Sequence, residues 1–177
     1  MPTPRTLYRG KFLELLVAGN WEFVQRPRHT APVGILAVTP DARLVLISQY
    51  RIPVGKICVE IPAGLAGDSG APESWKAAAL RELREETGYA AQDMEFLASG
   101  PTSAGLTNEC MLFARAVGLT KAGPPQPDGD EQIAVHEIPL ADVPAFLRDQ
   151  EAQGRLIDPK IYTVLYFLLA TGHWPLT

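Results

Sequence analysis

The chain is poor in cysteine and histidine, with two of the first and three of the second among 177 residues. Cys58 and Cys110 form no CxxC pair and no Cys/His cluster, which removes the usual zinc arrangements. Their flanks, KICVEI and NECMLF, are apolar and strand-like. Two buried free thiols are therefore expected rather than a disulfide, in keeping with a reducing cytoplasm. Long hydrophobic runs are also missing. The longest late one, Ile161 to Ala170, is about half of what a bilayer crossing needs. The opening MPTPRTLYRGKFLELLV lacks the apolar stretch and small-residue cleavage site of a secretory leader. A cytoplasmic chain with no membrane partner is the expectation. Basic residues are not in excess: 16 Lys and Arg stand against 20 Asp and Glu, net −4. That balance offers no electrostatic footprint for nucleic acid. It does not exclude anionic substrates, because a bound divalent cation can invert the local field. There is no internal repeat and no low-complexity segment.

What is present is an ordinary soluble composition, 46% apolar and 20% charged. A chain of this length buries roughly 70% of its unfolded surface. Residues 6–26 alternate as two or three short strands, with Ala18-Gly19-Asn20 as a hairpin turn before Trp21 to Arg26. So small a sheet cannot bury both faces alone. Residues 1–30 are therefore expected to pack on the rest of the chain, 31–177, or on a second copy. Val33 to Val38 and Leu44 to Tyr50 read as a second hairpin of central strands around Pro40-Asp41. Ile57 to Ile61 is a further strand, stopped by Pro62-Ala63-Gly64. Pro72 to Thr87 reads as a helix closed by Gly88. Strands follow at Met94 to Ser99, Glu109 to Val117 and Ile133 to Ile138. The polar stretch Lys121 to Asp130 reads as a lid or binding loop rather than a linker. A helix from Val143 to Gln153 is expected to take Asp142 as its cap, and Asp158-Pro159 opens a last helix that Gly172 closes. Strands before, between and after helices imply a mixed α/β sandwich.

The chemistry concentrates between Glu60 and Tyr89, which holds six of the twenty carboxylates. Glu82, Glu85 and Glu86 fall within five positions. On a helix turning about 100° per residue, Lys76, Ala79, Leu80, Leu83 and Thr87 share one sector. Glu82 and Glu86, four apart, edge that sector, with Glu85 beside Glu82. Arg81 and Arg84 point further round. Carboxylates crowded at the margin of a buried face repel unless a cation joins them. Oxygen ligands of this kind suit Mg²⁺ or Mn²⁺. The competing reading is a solvated helix with surface ion pairs such as Arg81–Glu85.

Arg81-Glu82-Leu83-Arg84-Glu85-Glu86-Thr87-Gly88-Tyr89, with Glu73 eight positions before Arg81, resembles the Nudix box, GX5EX7REUXEEXGU. Gly67 fits the first glycine by strict spacing. Ile61-Pro62-Ala63-Gly64-Leu65 resembles the PAG segment of ADP-ribose pyrophosphatases, in which Gly64 would open the box and the loop to Glu73 would carry three extra residues. The resemblance implies a Nudix-type α/β/α sandwich with a mixed sheet and a small N-terminal antiparallel sheet. It implies Glu82, Glu86 and Glu85 as metal ligands with the Ala63 carbonyl, and Arg81 and Glu73 as the residues that orient them. It further implies Mg²⁺-dependent cleavage of a pyrophosphate, in which bound ions neutralise phosphate charge and lower the pKa of water.

Outside the box, Gln49-Tyr50-Arg51-Ile52-Pro53-Val54 and Glu60-Ile61-Pro62-Ala63-Gly64 are similar to the QFR…E-PAG run of nucleoside diphosphate sugar hydrolases. The likeness covers roughly residues 5–170. It implies that Arg51 reaches substrate phosphates or sugar, a task suited to a guanidinium fork; a strand-end surface arginine is the plainer reading. It implies that Trp21 stacks on the base and that Arg26 helps to hold it; a core tryptophan is equally compatible. In the family the N-terminal sheet builds a homodimer, and the base site draws on the partner. Ser103-Ala104-Gly105-Leu106-Thr107-Asn108-Glu109 aligns with the family's SPG…(D/N)E segment, with Ala104 where strict ADP-ribose pyrophosphatases carry proline. Ala104 and Gly105 are thus candidate substrate contacts, and GDP-mannose or ADP-glucose stays open beside ADP-ribose. Glu109 either binds metal-linked water or caps a turn. Glu131 is the best match for the general base, with Asp130 as fallback; a solvated acidic loop is the alternative. The three histidines are read as structural. Other activities within the fold are hydrolysis of a nucleoside triphosphate or dinucleotide, or non-catalytic sensing of a nucleotide sugar.

Overall fold

A computed structural model describes residues 2–26, 31–67, 73–127 and 132–172. The chain begins with β1 (Arg5–Arg9), β2 (Glu14–Ala18) and β3 (Trp21–Gln25), an antiparallel sheet of its own. β4 (Pro32–Leu36), β5 (Arg43–Arg51), β6 (Lys56–Glu60) and β7 (Ala63–Leu65) follow, then helix α1 (Trp75–Thr87). Next come β8 (Tyr89–Ala90), β9 (Asp93–Pro101), β10 (Cys110–Val117), β11 (Thr120–Lys121), β12 (Ala134–Pro139), α2 (Val143–Ala152), β13 (Leu156–Ile157) and α3 (Lys160–Ala170). Two four-stranded mixed sheets form the body, in the orders β7-β4-β10-β9 and β12-β5-β6-β13. β4 and β10 run parallel, as do β6 and β13; the other neighbours in these sheets are antiparallel. Val33, Ile35, Ala78, Ala79, Leu83 and Met94 close one core around α1. Leu44, Leu46, Val59, Leu147, Ile161 and Val164 close another around α2 and α3. This is the expected α/β/α arrangement.

The expected second hairpin forms only at its tip. β4 and β5 lie in different sheets, and the two arms pair only near the turn, through the antiparallel Val38–Leu44 bridge and bonds of 2.9 Å from the Val45 amide to the Ala37 carbonyl and from the Thr39 amide to the Arg43 carbonyl. Both runs are apolar on both faces because each strand is covered on both sides, a pattern that a hairpin and a sheet change share. Pro62-Ala63-Gly64 likewise does more than end β6. The chain crosses there from one sheet to the other, with the Pro62 carbonyl accepting from the Ile35 amide at 2.8 Å, and resumes as β7 beside β4.

Three local expectations are also corrected. Asp142 makes no side-chain cap bond, since a short 3₁₀ turn over Leu140–Asp142 already holds it in helical conformation. Helix α1 starts at Trp75, with the Ser74 hydroxyl accepting from the Ala77 amide; Pro72 lies outside the described residues. Cys58 is buried and free, but Cys110 is exposed and free. Alternation along β10 turns Met111 inward and leaves Cys110 outward at its open end.

The end of α1 follows the sequence closely. Gly88 takes φ +71° and donates to the Arg84 carbonyl. A Cβ on Gly88 would stand 2.2 Å from the Gly123 carbonyl oxygen, against backbone that cannot swing aside. Gly88→Ala is therefore expected to cost at least about 2 kcal/mol in denaturant unfolding, because it adds a clash to left-handed strain. An unchanged midpoint would show that the 122–124 segment yields easily.

Candidate active site

The sheet crossing presses the backbone of Ala63 and Gly64 against the inner edge of α1. A Cβ on Gly64 would fall 1.8 Å from the Glu82 carboxyl carbon, so only glycine lets this carboxylate lie there. The Ala63 amide donates to Glu86 at 2.9 Å, and Glu86 is buried at 6% exposure. Arg81 does not point away. Its guanidinium reaches both oxygens of Glu73 at 3.1 Å, and Glu82 and Glu85 at 2.9 Å each. It also approaches the Leu65 carbonyl at 3.4 Å. The bond to Glu73, then the charge of Glu82 and the bond to Glu85, push the arginine above its ordinary range. Glu73 is held below the usual carboxylate range by the same partner. Its other bond is to the amide of Gly67, which takes φ +82°. The two glycines thus serve different ends: Gly64 admits Glu82, and the Gly67 amide helps to hold Glu73 beside Arg81.

Ala63, Gly64, Glu82, Glu85 and Glu86 border a cavity of about 660 Å³. Its described lining includes six carboxylates, Glu60, Glu82, Glu85, Glu86, Glu109 and Asp158, and three cations, Arg26, Arg51 and Lys160. Each cation already holds a carboxylate of the same lining. Arg51 grips Glu60 through two bonds of 2.7 and 2.6 Å, which raise its pKa. Arg26 meets Glu109 at 2.8 Å, and Lys160 pairs with Asp158. The cavity is therefore acidic in sum and would repel a diphosphate as it stands.

Residues 102–109 reach this cavity under the control of the N-terminal sheet. The Val24 amide donates to the Leu106 carbonyl at 2.9 Å, and Asn108 donates to the Gln25 side chain at 3.1 Å. Gln25 in turn bonds the buried Glu14 at 2.8 Å, which Arg9 pairs from outside. The turn so fixed aims Thr102 and Glu109 into the cavity, while Ala104 and Gly105 stay exposed outside its lining. Trp21 also remains outside, at 65% exposure on β3. Glu131 and Asp130 lie outside the described residues. Lys160 and Asp158 were legible only as a helix start; Asp158 does accept from the Lys160 amide at 2.8 Å, and the same turn brings both into the cavity. Glu60 was visible in its motif, but its role as the partner of Arg51 was not.

Among the described residues, no three acidic, histidine or cysteine side chains are already gathered round one metal position. Arg81 draws Glu82 and Glu85 while Glu86 holds the Ala63 amide. The donors nevertheless fit a hard divalent ion: they are all oxygen, they crowd beside a glycine cradle, and they outnumber the local cations.

A sequence profile of the NUDIX domain matches residues 28–160. The chain belongs to the NUDIX family. It is 35% identical over 145 residues to "Methanol dehydrogenase activator" of Bacillus methanolicus, covering 80% of this chain and 73% of that protein. It is 32% identical over 155 residues to "ADP-ribose pyrophosphatase" of Bacillus subtilis (strain 168), covering 82% and 80%. The solved structure titled "Crystal structure of ADP compounds hydrolase" superposes with a TM-score of 0.70 at 26% identity, over 97% of this chain and 96% of that one. The protein is a Nudix pyrophosphohydrolase. No helix among the described residues is long and apolar enough to cross a membrane.

Gly64→Ala isolates the cradle from the rest of the fold. The variant is expected to keep its circular dichroism spectrum and lose at least about tenfold in divalent-ion affinity, since Glu82 must leave its place. Unchanged affinity by calorimetry would show that Glu82 is not held for an ion.

Proposed function

We propose that this enzyme hydrolyses the pyrophosphate bond of nucleoside diphosphate sugars, of the ADP-ribose, ADP-glucose or GDP-mannose type, to a nucleoside monophosphate and a sugar phosphate, with Mg²⁺. The observation that carries the reading is the acidic cavity in which Glu82, Glu85 and Glu86 meet the cations Arg26 and Arg51. A diphosphate enters such a cavity only with divalent counter-ions, and the carboxylates of α1 together with the Ala63 carbonyl are the groups to hold them. When bound, the ion supplies charge neutralisation at the phosphates and a lower pKa for water. Arg81 and Glu73 keep the carboxylates aimed. Arg51 is 44% exposed in its side chain and can share its fork between Glu60 and a phosphate oxygen. Glu131, or Asp130 beside it, is the proposed proton acceptor.

The relative named for ADP-ribose and the structure named for ADP compounds support the substrate class. Ala104 in place of proline supports a choice wider than ADP-ribose. The base subsite is proposed to form across a homodimer built on residues 1–30. Tyr8, Phe12 and Trp21 are each about two-thirds exposed on or beside the N-terminal sheet, and Trp21 lies outside its own chain's cavity. Residues 31–177 then form the catalytic domain. The relative named as an activator leaves room for a regulatory role, but the full set of box carboxylates favours turnover.

A panel of ADP-ribose, ADP-glucose, GDP-mannose, NADH and dGTP with Mg²⁺, read by chromatography, tests the proposal. Nucleotide sugars should turn over fastest; preference for dGTP would overturn the class. Glu82→Gln and Glu86→Gln should each lower kcat at least about 100-fold, the upper scale of outer-shell changes, with the fold intact. Trp21→Ala should raise KM about fivefold or more with little change in kcat, as a lost base stack would. An unchanged KM would remove Trp21 from the base subsite.

A further inference from the structure

β5 has two faces, and the catalytic cavity uses one of them. Gln49 and Arg51 point there, with Cys58 and Glu60 of β6 beside them. Ser48 and Tyr50 point to the opposite face, where a second cavity of about 400 Å³ opens by the end of α2. Its floor is the Ser48 hydroxyl bonded at 2.9 Å to His136 Nε2, with the imidazole resting on Phe146 of α2 at 5.3 Å between ring centroids. One wall is apolar: Tyr50 and Ile57 sit directly across β5 and β6, 60% and 40% exposed. The other wall holds Arg155 and Gln132.

The charge pattern reverses that of the catalytic cavity. None of the described residues lining this second cavity is a carboxylate. Arg155 is half-buried, and its side chain bonds only the neutral amide of Gln150; among the described residues it has no ion pair. An arginine so placed in a chain of net charge −4 is uncommon, because partly desolvated guanidinium groups ordinarily find a carboxylate. Burial and the nearby Arg155 charge hold His136 below its usual range. The imidazole therefore adds no second positive charge near neutral pH, and Arg155 has no rival for an anion.

We propose that this cavity is a second ligand site, distinct from the catalytic one, that takes a small organic phosphate monoester. Arg155 would grip the phosphate through the guanidinium donors that no described residue takes, Ser48 and Gln132 would complete the oxygen contacts, and a ring of the ligand would lie on Tyr50 and Ile57. The volume falls within the range of small-molecule sites. Because Gln49 borders both cavities, an occupant here adjoins the wall of the catalytic site. Phosphate monoesters are what the proposed reaction releases, but the binding argument rests on Arg155 and needs no turnover.

The chain has only three histidines, so His136 gives a resolved probe. The full-length protein, metal-free in chelator, would be titrated with AMP, ribose 5-phosphate and inorganic phosphate while imidazole resonances are followed by NMR. Saturable movement of His136 is expected with AMP and ribose 5-phosphate. Arg155→Met should weaken the apparent affinity for both at least about tenfold, as loss of a charge-assisted contact implies. Tyr50→Ala should weaken AMP and leave inorganic phosphate unaffected, which separates ring from phosphate. Movement of His29 or His173 without His136, or equal affinity in Arg155→Met, would overturn the site. A lower melting temperature in Arg155→Met with no phosphate-dependent movement in either protein would also overturn it, assigning Arg155 to a carboxylate of this chain. Since no hydrolysis is read, failure here leaves the nucleotide-sugar proposal standing, and failure of that proposal leaves this one.

Discussion

The site depends on one side chain, Arg81, and on its ability to hold three carboxylates at once. Glu73, Glu82 and Glu85 all lie within 3.1 Å of its guanidinium. Such a fork has donors in fixed directions in a plane, which an ammonium group lacks. Arg81 alone cannot balance three carboxylates, and Glu86, buried nearby, also lies within the field of Arg51. The arrangement is a brace that sets geometry and leaves a charge deficit. An oxygen-rich, net acidic edge of this kind suits the divalent ion that the proposed reaction requires.

The rest of the architecture brings backbone to this brace. The crossing at Ile61-Pro62 belongs to neither sheet, and it is there that the chain comes close enough to α1 for the Ala63 amide to meet Glu86. The apolar inner face of α1, through Ala78, Ala79 and Leu83, fixes the helix against one sheet while its acidic edge overhangs the crossing. The N-terminal sheet acts from the other side. Its bonds through Val24 and Gln25 hold residues 102–109, and Arg26 meets Glu109 in the cavity. Three elements distant in sequence therefore meet at one cavity, each tied by polar contacts that can be named.

Much of this was legible in the sequence. The identity and spacing of Arg81, Glu82, Glu85 and Glu86 were enough to find the cluster, because a helix converts spacing into position; Glu73 joins it from just before α1. The pattern of β5 and its neighbours was less telling. Strands covered on both faces look alike whether they pair in a hairpin or part into two sheets, and β4 and β5 do the second. Cys110 was read as buried because its neighbours are apolar, but alternation at a strand end turns alternate residues to solvent. Asp158 and Lys160 look like a helix start, which they are. That the start also faces the cavity depends on how α3 packs, and no local pattern encodes it. Ala104, Gly105 and Trp21 carry the resemblance but lie outside the cavity of their own chain, and Glu131 falls beyond the described residues.

The same strand alternation that hid Cys110 explains why one sheet can carry two cavities of opposite character. Along β5, Arg51 lines the cavity of the carboxylates, Ser48 and Tyr50 line the cavity that holds Arg155, and Gln49 between them borders both. Two sites on one face would have to share a field, and an acidic cavity would draw away the arginine that an anion site needs. Opposite faces of a sheet keep Arg51 on Glu60 and Arg155 apart from both, although the two cavities share the border residue Gln49. A substrate with cations on one face and a phosphate monoester on the other can then be bound by residues only one position apart.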